Sequence, residues 1–168
     1  MATLELITNT VVGSGGTTSI TFSSIPQTYQ HLMIVSSGRS QRSGSEVDGS
    51  NIRFNSETSG GNQSGYALVH YAVDSPSGGL VAGTSEQNDN RVSYLFDFAA
   101  GAAPTYYFGY ALTYFPNYRW GEYKKVIGYC SAPNDENDAW SFSQRIATGS
   151  WRSTSAMTSI RIDPGVTG

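Results

Sequence analysis

The sequence has few charged residues and a single cysteine. Only 14% of its 168 residues are Asp, Glu, Lys or Arg, against about 25% in average globular proteins. The net charge is −3 and the Lys and Arg residues are scattered, so no basic stripe indicates nucleic-acid binding. Cys130 cannot form a disulfide within the chain, and its apolar neighbours predict a buried structural thiol.

Long apolar runs are also missing. No apolar stretch approaches the roughly 18 residues of a membrane-spanning helix, and the N-terminus lacks the basic and apolar pattern of a secretory signal. We therefore expect a protein that is made in a cytoplasm and has no membrane partner.

The residue patterns of common catalytic and metal sites are absent as well. His31 and His70 are the only histidines, and neither has a metal-ligand spacing with the other or with the cysteine. The sequence contains no G-x-S-x-G nucleophile elbow, and the glycines at 13–16 lack the Lys and helix of a phosphate loop. We predict that the chain is not an enzyme, binds no cofactor and holds no metal.

Two oxygen-rich segments nevertheless leave a calcium site open. Residues 46–51 (EVDGSN) and 134–138 (NDEND) carry the ligand type that Ca²⁺ prefers, but neither has the full twelve-residue loop with its distal Glu. Solvated turns are the favoured interpretation. A glycosidase would need two carboxylates, such as Asp135 and Asp138, placed across a cleft.

Serine, threonine, glycine and tyrosine fill the composition, with 19 glycines and 11 tyrosines. Short segments of alternating apolar and polar residues are separated by Gly- and Ser-rich turns, which is typical of strands joined by reversals. The pattern predicts an all-β protein, an antiparallel two-sheet sandwich, jelly-roll-like, with eight to ten strands. We expect a single domain over residues 1–168, with termini 1–12 and 163–168 that extend from it.

The alternation locates most strands. Leu32 to Val35 is apolar on both faces, which predicts the middle of a sheet, and 66–73 fits either a strand or one to two helical turns. Residues 75–90 are predicted to be a loop. The predicted strands span residues 3–12, 17–23, 30–36, 52–54, 91–98, 106–115, 122–131, 140–148 and 156–162.

Four short phrases of the sequence recur in one known family. Residues 22–29 (FSSIPQTY) fit F-x-x-I-P-x-T-Y, and residues 151–160 (WRSTSAMTSI) are similar to W-x-x-T-x-A-I-T-S-I. Two further phrases are residues 52–55 (IRFN) and the pair 116–118 (PNY) and 123–126 (YKKV). In this order they resemble a small β-sandwich module of tailed-bacteriophage virion proteins, in which the first phrase opens one core strand and the second closes a late one. In the family, a further strand follows the one that ends near residue 162, whereas this sequence stops at residue 168. We expect the family's final strand to be absent here, replaced by an N-terminal strand, or supplied by a neighbouring copy.

The resemblance implies a non-enzymatic structural protein on the surface of a phage virion, made in the host cytoplasm. The favoured role is a capsid decoration (cement) protein that stabilises the head. It would form a homo-oligomer, expected to be a trimer, and bind the major capsid protein or other virion proteins. The alternatives are the receptor-binding head of a tail fibre or spike, and a carbohydrate-binding module that holds host surface glycan. The chain shows no shaft or coiled coil, which favours decoration.

The termini and the aromatic loops provide the candidate contact residues. Residues 106–123 are rich in Tyr and Trp, which suit sites with one dry and one wet edge. Within this segment, Tyr110 and Tyr114 are expected in the core. For Trp151, outside the segment, the family resemblance implies packing at the end of the sandwich. The predicted interface residues are Leu4, Leu6, Tyr118, Arg119, Trp120, Trp151 and Arg152.

Overall fold

A computed structural model describes residues 4–56, 66–74, 79–87, 92–133 and 142–163. These residues form ten strands, and their secondary structure includes no α-helix. Within these ranges, no helix is long and apolar enough to cross a membrane. The strands are β1 (Ile20–Phe22), β2 (Leu32–Gly38), β3 (Val47–Phe54), β4 (Tyr66–Asp74), β5 (Gly79–Gln87), β6 (Val92–Ala99), β7 (Gly109–Phe115), β8 (Lys124–Pro133), β9 (Phe142–Trp151) and β10 (Ile160–Asp163).

The strands form two antiparallel sheets that pack on each other. The smaller sheet has the order β1-β10-β3-β6 and the larger one β2-β7-β8-β9-β4-β5. Four pairings are nested along the chain: β1 with β10, β2 with β7, β3 with β6, and β4 with β5. Such nesting is what results when one long hairpin is rolled into two layers, which is the jelly-roll arrangement, and the hairpin β8–β9 widens the larger sheet. The predicted all-β, jelly-roll-like sandwich is confirmed.

Glycines of the larger sheet allow the smaller sheet to approach closely. A Cβ at Gly109 would lie 2.1 Å from the backbone oxygen of Asp97 on β6, and one at Gly128 would lie 2.8 Å from Leu95 Cδ2. A Cβ at Gly149 would meet a β6 valine at 2.6 Å. Since real Cβ atoms do not approach other atoms this closely, a larger residue at these positions would push the sheets apart.

The segments that carry the phage resemblance meet at one end of the sandwich. The Tyr118 hydroxyl donates to the Pro26 oxygen, and the Met157 amide donates to the Tyr118 oxygen. Asn55, which follows β3 with φ of 51°, donates to the Ala156 oxygen through Nδ2. These short phrases therefore form one hydrogen-bonded closure between loops that are distant in sequence.

The N-terminal segment differs from the prediction. No strand is present in residues 4–19, so the strand predicted over 3–12 is wrong for the described part of that range. We call residues 4–12 the N-terminal arm. Its apolar residues alternate, but alternation produces a strand only where a sheet edge accepts its hydrogen bonds. A turn follows, in which the Gly16 amide donates to the Gly13 oxygen.

Two other expectations about strands are also corrected. Strand β2 lies at the edge of the larger sheet, not in its middle, and Met33 and Val35 point outward where they are exposed. Strand β5 occupies most of residues 75–90, which were predicted to be a loop because they are rich in Gly and Ser. Its nine-residue pairing with β4 is made by backbone N–H and C=O groups, which glycine has like any other residue. The ambiguous segment 66–73 is a strand, β4.

Candidate interaction surface

The two leucines predicted as contact residues lie on the N-terminal arm and are strongly exposed. Leu4 is 88% exposed and Leu6 is 78% exposed. Glu5 between them accepts a hydrogen bond from the Tyr29 hydroxyl, which raises the pKa of Tyr29 above its ordinary value. The arm is therefore placed beside the 23–31 loop, with its leucines directed to solvent.

Two other predicted contact residues are buried, which contradicts their proposed place on the surface. Tyr118 belongs to the hydrogen-bonded closure described above, and burial raises its pKa. The Trp151 ring packs against Phe54 at a centroid distance of 5.3 Å, and Lys124 Nζ lies 5.7 Å from the Trp151 centroid. Trp151 thus packs at the end of the sandwich, as the resemblance implied, and the burial of both rings contradicts a surface position for either.

The remaining predicted contact residues lie on loops at that same end. Trp120 is 44% exposed and follows a turn in which its amide donates to the Asn117 oxygen. Arg119 is exposed and donates through Nη1 to the Gln27 oxygen at 3.1 Å. Arg152 is partly exposed. Trp120 and Arg119 are thus held on a tied loop and stay accessible.

A larger surface was missed by the sequence analysis. Strand β7 and the residue before it place large apolar side chains outward at Phe108, Tyr110 and Leu112, all exposed. Its inward positions hold Gly109, Ala111, Thr113 and Phe115, all buried. The expectation that Tyr110 lies in the core is therefore wrong, since it is 61% exposed.

The apolar side chains continue across four neighbouring strands in register. Val35 pairs with Leu112, Leu112 with Tyr129, and Tyr129 with Ile146. Directly paired side chains on one face lie about 4.5–5.5 Å apart, so the row is continuous. We define the outer apolar face as Met33, Val35, Phe108, Tyr110, Leu112, Tyr129 and Ile146, each between 37% and 70% exposed.

This outer apolar face carries little charge. Among the described outward positions of β2, β7, β8 and β9, Lys125 is the only charged residue, and its Nζ donates to Ser150 Oγ at 3.2 Å. Lys124 beside it points inward, donates to the Glu122 oxygen, and has its pKa lowered by burial. The face is therefore suited to an apolar partner.

One margin of the face is held in place by an arginine. Arg39 donates to the backbone oxygens of Ala103, Pro104 and Tyr107, the last at 3.3 Å. These bonds fix the loop before β7, whose last residue is Phe108. The exposed aromatic ring is thus presented from a tied segment, and little conformational entropy is lost when a partner covers it.

A buried polar cluster lies between the sheets. Asp97 Oδ2 accepts a hydrogen bond from Ser143 Oγ at 3.0 Å and pairs with Arg145 Nε at 3.3 Å. Burial and, to a smaller extent, the Asp97 charge raise the pKa of the Cys130 thiol above its ordinary value. The thiol is therefore neutral and buried, as predicted for a structural cysteine, and a neutral thiol is a poor nucleophile.

One of the two candidate calcium segments lies within the described residues. Within 46–51, residues 47–51 belong to β3, and Asp48 is buried and lies 3.6 Å from Arg42 Nη1. The segment 134–138 lies outside the described residues. Among the residues that the structure describes, no group of three His, Cys, Asp or Glu side chains could hold a metal ion. His31 accepts a hydrogen bond from the Asn117 amide at 3.2 Å, and the His70 side chain lies outside the description.

Comparisons with protein-family models, with curated proteins and with solved structures found no match to this chain.

Proposed function

We propose that this chain is a non-enzymatic structural protein of a tailed-phage virion, and specifically a decoration protein that stabilises the head. The observation that carries the proposal is the outer apolar face, where the largest side chains of β7 point to solvent. A soluble monomer rarely keeps an apolar patch larger than about 300–600 Å². An interface with other proteins is the ordinary reason for such a surface.

The hydrogen-bonded closure supports the virion part of the proposal. The phrases at 22–29, 52–55, 116–118 and 151–160 resemble those of the phage module, and they contact one another in the fold. A resemblance spread over the chain thus corresponds to one structural unit. The jelly roll is also an architecture that virion shells use.

The energetics favour binding by many copies. Seven half-exposed side chains of the outer apolar face offer on the order of 700 Å², given about 150–250 Å² for a complete aromatic side chain. An apolar area of this size is enough for specific association between copies of the chain. The contact with the head would be repeated at every copy, and multivalency strengthens binding through many weak sites.

The proposed partners are other copies of this chain, as a trimer, and the major capsid protein or another virion protein. Arg119 and Trp120 remain available for the second of these contacts, because both are exposed and neither belongs to the outer apolar face. The proposed location is the surface of the virion.

Co-sedimentation with undecorated heads tests the function. The purified chain should pellet with heads, and Trp120→Ala should weaken this binding while leaving the folded state unchanged. Pelleting with host cells instead would move the role to a fibre or spike head. Binding to isolated host polysaccharide would support a carbohydrate-binding module. Trp120 and Tyr118 are the aromatic residues expected to hold glycan in such a module, and Tyr118 is buried.

A further inference from the structure

Two separate apolar surfaces of this chain face solvent. One is the outer apolar face, and the other is the N-terminal arm, where Leu4, Leu6 and Val11 are each more than three quarters exposed. The arm's Glu5 is engaged with Tyr29 of the same chain, and the outer apolar face of that chain stays exposed. The arm therefore does not cover its own sheet.

The outer apolar face has the size of a stable interface. Its exposed area, on the order of 700 Å², is close to the roughly 800 Å² per partner of standard protein interfaces. The arm has a matching length, since nine extended residues span about 30 Å and the four strands from β2 to β9 span about 15 Å. One arm can thus cross the whole row from Val35 to Ile146.

The two surfaces also match in charge. Lys125 is the only charged residue among the described outward positions of these four strands, and Glu5 is the only charged residue of the N-terminal arm. Both surfaces are otherwise apolar or carry hydroxyl and amide groups. Contact between them therefore brings no like charges together.

We propose that the outer apolar face is covered by the N-terminal arm of a second copy of this chain. A contact between two different surfaces is heterologous, and it closes into a ring when the rotation between copies allows. Each copy then covers both of its apolar surfaces with the same contact. A two-fold contact between two outer apolar faces would leave every arm exposed. This inference rests on the oligomer in the proposed function and identifies the surface that forms it.

The solution mass of the full chain and of two variants tests the inference. The wild type should form an assembly of several 18.1 kDa chains. Leu112→Glu places a charge at the centre of the row, and removal of residues 1–12 deletes the arm without touching a strand. Each should reduce the mass to that of one chain at concentrations where the wild type is assembled. Thr21→Glu is the matched control, because it places the same charge on the exposed face of the smaller sheet, where the mass should not change.

A cysteine pair tests the contact itself and does not depend on how well a charged variant folds. Leu6→Cys combined with Leu112→Cys should form disulfide-linked chains on oxidation, whereas Leu6→Cys alone should not. The native Cys130 is buried and has a raised pKa, so it should not take part.

Three results would overturn the inference. These are a monomeric wild type, an assembly that neither variant disrupts, and an assembly that Leu112→Glu disrupts but arm removal does not. The last would indicate direct packing of two outer apolar faces. Head binding is measured separately. An intact arm contact in a chain that does not bind heads would therefore contradict the proposed function and leave this inference standing.

Discussion

Gly109, Gly128 and Gly149 stand where β6 passes closest to the larger sheet. Each would bring a Cβ within 2.8 Å of an atom of β6. Because small residues occupy the inner side, the large residues of β7 are directed outward. The small residues that allow the sheets to approach each other thus alternate with the large residues that form the outer apolar face.

Replacement of Gly109 by alanine should destabilise the fold. The new Cβ would overlap the Asp97 backbone oxygen, which cannot move independently of β6, so we expect a loss of about 1–3 kcal/mol or more in the free energy of unfolding. Chemical denaturation of the wild type and the variant measures this difference in the free energy of unfolding. Gly121→Ala is the control, since nothing lies within 4 Å of its Cβ position. Equal stability of the two variants would contradict the close approach.

Cys130 should make the protein less stable at alkaline pH. Its pKa is raised in the fold, so above its ordinary value of 9.0 the unfolded chain loses the thiol proton first and the folded chain retains it. Stability is therefore lost as the pH rises above that value, by up to about 1.4 kcal/mol per pH unit. Tyr118 acts in the same direction above its ordinary pKa of 10.0, and Lys124, whose pKa is lowered, acts in the opposite direction below 10.5.

The comparison with Cys130→Ala isolates the thiol, because Tyr118 and Lys124 are present in both proteins. Denaturation at several pH values from about 8 to 11 should show a steeper decline for the wild type than for the variant. Parallel declines would show that the thiol does not titrate differently in the folded and unfolded states.

At the scale of elements, the loop before β7 depends on Arg39. Its guanidinium satisfies three backbone oxygens between Ala103 and Tyr107. Arg39→Ala should therefore lower stability by about 1–3 kcal/mol, the cost of carbonyls left without a donor. Arg39→Lys should lose less stability, because its ammonium group replaces some of the N–H donors of the guanidinium. Thermal unfolding ranks the three proteins, and an Arg39→Ala midpoint equal to that of the wild type would contradict the role.

The strands with regular alternation were predictable, and the elements that depend on distant partners were not. The segments of β6 to β9 were located from their own residues. The N-terminal arm alternates equally well and forms no strand, because no edge accepts it. Strand β2 is apolar on both sides, as a central strand would be, yet it borders the sheet. Its exposed residues belong to a surface that the described part of the chain leaves uncovered.

The candidate site was only partly predictable for the same reason. Tyr118 and Trp151 have the residue types that interfaces favour, but their burial follows from loops that meet only in the fold. The face of β7 had a visible signal, since Gly109, Ala111 and Thr113 alternate with Phe108, Tyr110 and Leu112. Small residues at every second position indicate the close-packed side. Residue type alone had placed Tyr110 in the core.

In the whole molecule, the two sheets differ in what they present. The smaller sheet packs β6 against the glycines of the larger sheet. The larger sheet presents the outer apolar face to solvent. The arm extends from the smaller sheet through β1. On the proposed function, the outer apolar face and the arm would form the contact between copies, and the loop that carries Trp120 would face the shell.

The location of the chain on purified particles decides whether it decorates the phage head. Electron microscopy of virions labelled with an antibody against the folded chain would show this location, with particles from a phage that lacks the gene as the control. Label should be distributed over the head, in many copies per particle. Label confined to the tail tip would contradict the decoration role, and particles without label would contradict a structural role in the virion.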